Sequence, residues 1–131
     1  MKLVRIKTSQ KNQVVDLTER VEAELPQAGR GAVLVLAAHT TCAVTTADLD
    51  PGTDLDFLNA LRHLLPDLRY RHPHDPEHTP DHILASLIGP SVLIPFDRDQ
   101  LILGTWQRIV LVELDGPRER NVHLTFLAEL G

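Results

Sequence analysis

The stretch GAVLVLAAHTTCAVTT, residues 31–46, decides the fold. Its first half is a purely apolar run that stops abruptly at His39, and apolar runs of this length are typical of buried strands. We therefore predict one strand from Gly31 to Ala38 and another from Ala43 to Thr46. A histidine, two threonines and the chain's only cysteine lie between them. The exit of the buried strand is thus the first place to look for chemistry.

Strands and helices extend on both sides of this stretch. Before it, alternating and capping patterns predict strands at 2–8 and 14–15, and a helix that begins at Asp16 or Thr18 and ends near Leu25. After it, a helix begins at Thr53 and ends near Leu65, with its apolar stripe on Leu55, Leu58, Leu61 and Leu65. A third helix spans 81–88, and Thr79-Pro80 precedes it as a capping pair. Four strands follow, at 91–96, 101–103, 107–114 and 121–127.

The order of these elements indicates the fold class. Helical crossovers occur only in the first two thirds, and the last third consists of hairpins. We predict one α+β domain over residues 1–131, with a mainly antiparallel sheet and two to three helices.

Composition excludes several classes of protein. The net charge is −5 and the basic residues are scattered, which argues against a nucleic-acid surface. No apolar run reaches the ~18 residues of a transmembrane helix, so no membrane partner is expected. A single cysteine permits no internal disulfide, which suits a cytoplasmic location.

His39 heads the first candidate cluster. Thr40 and Thr41 place hydroxyl donors and acceptors beside its imidazole. A purely structural histidine at the end of a buried strand is the alternative. Cys42 has no basic neighbour except His39, so a small buried hydrophobe is favoured over a nucleophile.

Four histidines within eleven residues form the second cluster: His72, His74, His78 and His82. Neutral imidazole is the commonest side-chain metal ligand. Pro80 interrupts the spacing between His78 and His82, so a solvated histidine-rich loop is the alternative reading. The helix dipole disfavours a charged His82, which suits this residue to bind a metal or accept a proton.

The third cluster is the GTWQ segment, residues 104–107, which holds the only tryptophan. Trp106 could stack on a flat ring, and Gln107 could bond to an amide or aminopyrimidine edge. A β-bulge with a core tryptophan is the alternative.

Carboxylates and arginines form a fourth cluster. Glu113 interrupts an apolar strand, where a carboxylate is costly without a partner. Arg118 and Arg120 could pair with it or bind phosphate. Asp48 and Asp50 add oxygen ligands for a hard cation.

Five segments in this order resemble the YjbQ-like family, and the resemblance extends from about Val4 to Leu127. The segments are HTTCAVT at 39–45, YRH at 70–72, the stretch 81–91 that begins DHI, GTWQ at 104–107 and ELDGPR at 113–118.

The resemblance implies a cytoplasmic α+β homotrimer that binds a divalent metal, zinc or magnesium, and a small phosphorylated substrate. It also implies a secondary thiamine-phosphate synthase-like transferase, which joins a pyrimidine diphosphate to a thiazole phosphate and releases pyrophosphate. A non-catalytic trimer that binds a metal or a small anion, or a metal-dependent hydrolase, are the alternatives.

The resemblance also assigns roles to residues. It implies metal ligands at His39, His72 and His82, and catalytic roles for His39, Thr41, Asp48 and Glu113. It implies ligand binding by Thr40, Trp106, Gln107 and Arg118. At 47–49 the chain departs from the family's Asn-Glu-Asn-like segment, and Asp48 offers a carboxylate one methylene shorter.

Overall fold

The structure, a computed structural model, describes residues 1–130. Gly131, the last residue of the predicted domain, lies outside the described residues. The strands are β1 (Lys2–Lys7), β2 (Gln13–Asp16), β3 (Arg30–Ala37), β4 (Cys42–Ala47), β5 (Ser91–Asp97), β6 (Gln100–Leu101), β7 (Arg108–Glu113) and β8 (Glu119–Ala128). The helices are α1 (Thr18–Glu22), α2 (Thr53–Leu64) and α3 (Thr79–Ile88), with a 3-10 turn at Pro76–His78 just before α3.

The strands form two antiparallel sheets. The larger sheet has the order β1-β8-β3-β5-β6, and the smaller one has the order β2-β7-β4. Every observed strand pair is antiparallel. The predicted α+β domain with mainly antiparallel strands and three helices is confirmed, although the strands divide between two sheets.

The smaller sheet is the middle of three layers. On one side, Val44 and Leu111 pack against Val33, Val35 and Leu124 of the larger sheet. Because β7 is buried on both faces, its sequence is a continuous apolar run instead of an alternating one.

The helices cover the other side of the middle sheet. Ala43 and Val112 contact Leu58 of α2 and Leu84 of α3, which form a second core. The outer face of the larger sheet is left open. Among residues 1–130, no helix is long and apolar enough to cross a membrane.

Some predicted details of the helices are wrong. Leu55 is 65% exposed, because the face of α2 that meets the sheet runs through Phe57, Leu58, Leu61 and Leu65, and Leu55 projects to one side of it. Gly52, with φ of +88°, occupies the N-cap position in place of Thr53. Thr79 likewise lies inside α3 and not at its cap, since α3 begins two residues earlier than predicted.

Three loops meet at one end of the middle sheet. The connection between β3 and β4 is held to the turn after β7, where the N–H of Leu114 donates to the carbonyl of Thr41 at 3.2 Å. It is held to β8 as well, where the N–H of Ala38 donates to the carbonyl of Asn121 at 3.3 Å. The start of α3 approaches the same place, so this end of the sheet collects most of the predicted site residues.

Candidate functional site

A polar cleft of about 760 Å³ lies where these loops meet, and we call it the histidine cleft. Five residues predicted for the site line it: His39, Thr40, Thr41, His82 and Arg118. Its other polar lining residues are His78, Asp115, Glu119 and Arg120.

His39 lines the cleft as a neutral imidazole that can donate a hydrogen bond. The backbone N–H of Asn121 donates to Nε2 of His39 at 2.7 Å, so the imidazole proton resides on Nδ1. Burial lowers the pKa of His39, and the positive charge of Arg120 lowers it further. A protonated ring could not accept this bond, so geometry and electrostatics favour the same neutral form.

His82 has the opposite tautomer. Its Nδ1 lies 3.1 Å from the carbonyl oxygen of Thr40, and a carbonyl only accepts, so Nδ1 donates. In the neutral ring, Nε2 of His82 is therefore a proton acceptor. The cleft thus contains one imidazole with its free nitrogen protonated and another with its free nitrogen unprotonated.

A buried ion pair lies beneath the cleft. Arg120 donates through Nε and Nη2 to the two carboxylate oxygens of Glu113, and both side chains are almost fully buried. Glu113 also accepts from the hydroxyl of Thr8 at 2.8 Å and from the N–H of Asp115 at 3.0 Å. Burial alone would raise the pKa of Glu113, but these bonds, led by that from Arg120, hold it below its ordinary value. With its lone pairs engaged, Glu113 acts here as a structural anion.

Thr41 belongs to this buried network. Its hydroxyl accepts from Nη2 of Arg120 at 2.9 Å, and its carbonyl lies 3.2 Å from the same nitrogen. These bonds fix the position of Thr41. The preceding residue, Thr40, provides the carbonyl that orients His82. The ion pair therefore supports the wall of the cleft.

Arg118 lies at the rim, with its side chain 52% exposed. It is folded back onto Asp115, donating to the carbonyl at 2.8 Å and to the carboxylate at 2.9 Å. Lys11 and His78 also approach that carboxylate, at 3.5 and 3.7 Å. Burial alone would raise the pKa of Asp115, but its bond to Arg118 and these neighbouring charges lower it overall.

The expected three-histidine metal centre is wrong. The rings of His72 and His82 stack in parallel, with centroids 5.0 Å apart and an interplanar angle of 11°. Nε2 of His39 and Nδ1 of His72 accept from backbone N–H groups, so the other nitrogen of each neutral ring carries the proton and cannot bind a metal in this form. Of the three histidines, His82 alone keeps an unprotonated free nitrogen. Within residues 1–130, no three His, Cys, Asp or Glu side chains are arranged to hold a metal ion.

Three other predicted residues lie elsewhere. Asp48, Trp106 and Gln107 line a separate pocket of about 380 Å³ at the far end of β4, which we call the tryptophan pocket. Asp48 follows Thr41 by seven positions, which is roughly 23 Å along a strand. One chain therefore does not bring them to His39, and their roles in ligand binding and catalysis stay predictions.

Side chains in the tryptophan pocket are more exposed. Trp106 is 71% exposed, which excludes the alternative of a core tryptophan. Gln107 braces the loop, because its amide accepts from the N–H of Gly104 at 3.0 Å and donates to the hydroxyl of Thr46 at 3.1 Å. Cys42 is buried between the two sheets, and burial raises the pKa of its thiol to about 11, as expected of a packing residue.

Of the two arginines expected to pair with Glu113, Arg120 does so, whereas Arg118 pairs with Asp115. That Arg120 also lines the cleft was not predicted. A signal was present, since Arg120 has the same parity as Val122 and Leu124, the inward residues of β8. Asp81, Arg62 and Lys11 were also missed. The buried carboxylate of Asp81 accepts from Arg62 at 2.6 Å and from Lys11 at 3.0 Å, which fixes the first turn of α3.

The fold and the cleft define a small three-layer α+β protein with a histidine-lined cleft between loops. The family model described as "UPF0047 protein YjbQ-like" matches residues 2–129. The chain belongs to this family.

Individual relatives support this assignment. The UPF0047 protein Rv2556c of Mycobacterium tuberculosis is 41% identical over 121 residues, which are 89% of this chain and 90% of the relative. The UPF0047 protein YugU of Bacillus subtilis is 33% identical over 130 residues, 97% and 98% of the two chains. The solved structure of hypothetical protein APE1520 from Aeropyrum pernix K1 has a TM-score of 0.89 and 37% identity, and covers 98% of each chain.

These comparisons correct the expected activity. The relatives carry only the family designation, and a solved relative from Sulfolobus solfataricus P2 is described as a "YbjQ-like protein of unknown function". Nothing in them supports a thiamine-phosphate synthase. Since the metal centre is not formed either, the expectation of such a synthase on three histidines is wrong. The two alternatives that needed the same metal centre, a metal-binding protein and a metal-dependent hydrolase, are not supported either.

Proposed function

We propose that the histidine cleft is an acid–base site for a small phosphorylated ligand. The pair of opposite tautomers carries the proposal. His39 and His82 line one cleft, and backbone groups determine which nitrogen of each ring is free. A ligand between them would meet a donor on one side and a proton acceptor on the other.

The roles follow from this arrangement. Nε2 of His82 would take a proton from a hydroxyl or amine of the ligand, while Nδ1–H of His39 donates a hydrogen bond to an oxygen. The charged form of His82 would keep its bond to the carbonyl of Thr40, so protonation requires no rearrangement. The lowered pKa of His39 keeps it a neutral donor while His82 changes its charge.

A phosphorylated ligand suits the rest of the lining. The hydroxyl of Thr40 and the exposed guanidinium of Arg118 add donors around the two imidazoles. Phosphate oxygens are strong acceptors for such groups. Of the two carboxylates that line the cleft, Asp115 is paired with Arg118 and Lys11, and Glu119 lies 3.8 Å from Arg5, so both oppose an incoming anion less than free carboxylates would.

The proposal is tested by NMR of the histidine rings. Long-range proton–nitrogen spectra of the ¹⁵N-labelled protein should show His39 as the Nδ1–H tautomer and His82 with Nδ1 protonated and Nε2 free. Titration with inorganic phosphate should shift the signals of both rings, and His82→Gln should weaken phosphate binding at least tenfold. His74→Gln is the matched control in the same loop region and should bind as the wild type does.

Two results would contradict the proposal. One is a spectrum in which His39 carries its proton on Nε2, because the opposed pair would then not exist. The other is phosphate binding that shifts His74 but neither His39 nor His82.

We also propose that the chain forms a homotrimer. Leu3, Leu93 and Leu127 are exposed on the open outer face of the larger sheet, where an interface would cover them. Light scattering during gel filtration should give three times the 14.6 kDa chain mass. A bound divalent ion and a cytoplasmic location stay predictions, and neither enters the acid–base proposal.

A further inference from the structure

One nitrogen of the buried Arg120 has no hydrogen-bond partner among residues 1–130. The guanidinium uses Nε and Nη2 for Glu113 and Thr41, and its Nη1 makes no such bond. The side chain is only 3% exposed, yet Arg120 lines the histidine cleft. Among residues 1–130, Thr79 Oγ1 is the one fully buried side-chain atom without a hydrogen-bond partner, so Nη1 of Arg120 keeps access to the cleft and can donate to a group bound there.

We infer that Nη1 of Arg120 is the anchor for the anionic group of the ligand, an inference that rests on the proposed function. Glu113 occupies the edge of the guanidinium formed by Nε and Nη2, so the carboxylate and Nη1 lie on different sides of the group. An oxyanion in the cleft would therefore approach Nη1 without displacing Glu113. The inference narrows the class of ligand to molecules with a phosphate group, one oxygen of which accepts a hydrogen bond from Arg120.

The buried network prepares Arg120 for this role. The carboxylate of Glu113 accepts four hydrogen bonds, which disperse its charge. Two come from Arg120, one from Thr8 and one from Asp115. Thr41 holds Nη2 from another side. The guanidinium thus has little freedom to lose when a ligand binds, which improves affinity.

Arg118 is a weaker anchor by the same criteria. Its side chain is half exposed, and both Nε and Nη2 are directed to Asp115. To bind a ligand, Arg118 would have to leave that carboxylate or use its remaining nitrogen at the exposed rim. The two arginines therefore provide a matched pair, two residues apart at the same cleft.

A buried ion pair is weak evidence for stability, since apolar residues of similar volume often replace one without loss. Here the pair lies between strands whose neighbouring residues on the same faces, Leu111 and Val122, are apolar. A role of Arg120 in the cleft would account for a charge at this position.

The test compares Arg120→Lys with Arg118→Gln. A lysine keeps a positive charge for Glu113 but has no nitrogen in the position of Nη1. Calorimetric titration with inorganic phosphate should show at least tenfold weaker binding for Arg120→Lys and a smaller loss, of about threefold, for Arg118→Gln, because Arg118 adds only a contact at the rim of the cleft. Near-ultraviolet circular dichroism checks that each variant is folded.

A measurement on the unmodified protein covers the case in which Arg120→Lys does not fold. Arginine-selective ¹⁵N spectra should show the Nη1 signal of Arg120 shifting and its exchange with water slowing when phosphate is added. The signals of Arg118 should change less.

The outcomes separate the two proposals. If Arg120→Lys binds phosphate as the wild type does, or if phosphate leaves the Nη1 signal of Arg120 unchanged, while His82→Gln loses binding, the anchor is overturned and the acid–base site stands. If phosphate shifts neither His39 nor His82 in the wild type, the proposed function itself fails, and the anchor with it.

Discussion

The histidine cleft and the tryptophan pocket lie near opposite ends of β4, and they are built differently. Behind the cleft, Arg120 and Glu113 form a buried ion pair in which each charge has several partners. Behind the tryptophan pocket, one exposed amide, that of Gln107, braces the loop. The cleft is thus rigid and dependent on charge, whereas the pocket presents an exposed aromatic ring on a lightly braced loop.

The difference shows that motifs at the two ends of one strand need not belong to one site. Both regions stand out in the sequence because they combine polar or aromatic residues with strand ends. Only the cleft has a buried network that orients its side chains, so functional geometry is better defined there. Three variants compare the two regions, in order of decreasing effect.

Glu113→Gln should have the largest effect on stability. The substitution leaves Arg120 buried without a counter-charge, which typically costs about 3–5 kcal/mol of unfolding free energy. Gln107→Ala in the tryptophan pocket is the counterpart, and removes two exposed hydrogen bonds at a cost of about 1 kcal/mol. Urea denaturation measures both. Equal losses in the two variants would show that the buried charge network has no special importance.

Gly116→Ala should cost less, about 1–3 kcal/mol, which is the usual range for overpacking. A Cβ on Gly116 would lie 2.2 Å from the carbonyl oxygen of Gln10 and 2.8 Å from Cγ of Glu113. Gly104→Ala is the matched control in the tryptophan pocket, where the nearest atom would be 3.5 Å away. The control should change the unfolding free energy by less than about 0.5 kcal/mol. A Gly116→Ala protein as stable as the control would contradict the tight packing beneath the cleft.

The smallest effect concerns pH and His39. Because its folded-state pKa is lowered, His39 contributes stability that is fully present above the unfolded value of about 6.5 and is lost as pH falls toward the lowered value. The melting temperature of the wild type should therefore decrease between pH 7.5 and 5.5. Buried carboxylates such as Glu113, whose pKa is also lowered, contribute mainly below pH ~4.5, outside this window.

His39→Gln isolates this contribution, since its side-chain oxygen can still accept from the N–H of Asn121. The variant should show a flatter pH dependence of the melting temperature than the wild type, and His74→Gln should keep the wild-type slope. A wild type whose melting temperature is the same at pH 7.5 and 5.5 would contradict a lowered pKa at His39.

Much of the fold could be predicted from local patterns. The apolar run before His39 became β3 with bounds shifted by one residue, and the alternation of Val122, Leu124 and Phe126 became the inward face of β8. Leu55 was misassigned because helical spacing admits it to the stripe, and only the position of the sheet excludes it.

The candidate site was likewise only partly predictable from local patterns. Residue types at chain breaks, together with the family resemblance, pointed to five residues that all line one cleft: His39, Thr40, Thr41, His82 and Arg118. Patterns along the chain did not show that the nitrogens of His39 and His82 are committed to backbone groups, or that Trp106 lies at the far end of β4. These are contacts between residues more than forty positions apart, so no local spacing encodes them.

The sequence by itself determined the class of fold and the order of its elements, because these depend on apolar periodicity and chain breaks. It also named five residues of the cleft, but it grouped them with Asp48, Trp106 and Gln107, which lie elsewhere. Tertiary structure alone decided the chemistry available there. It placed the N–H of Asn121 on one imidazole and the carbonyl of Thr40 on the other, which sets their tautomers. It also buried Arg120 with Nη1 making no hydrogen bond to residues 1–130, because the strand pairing brings β8 beneath the loop that begins at His39.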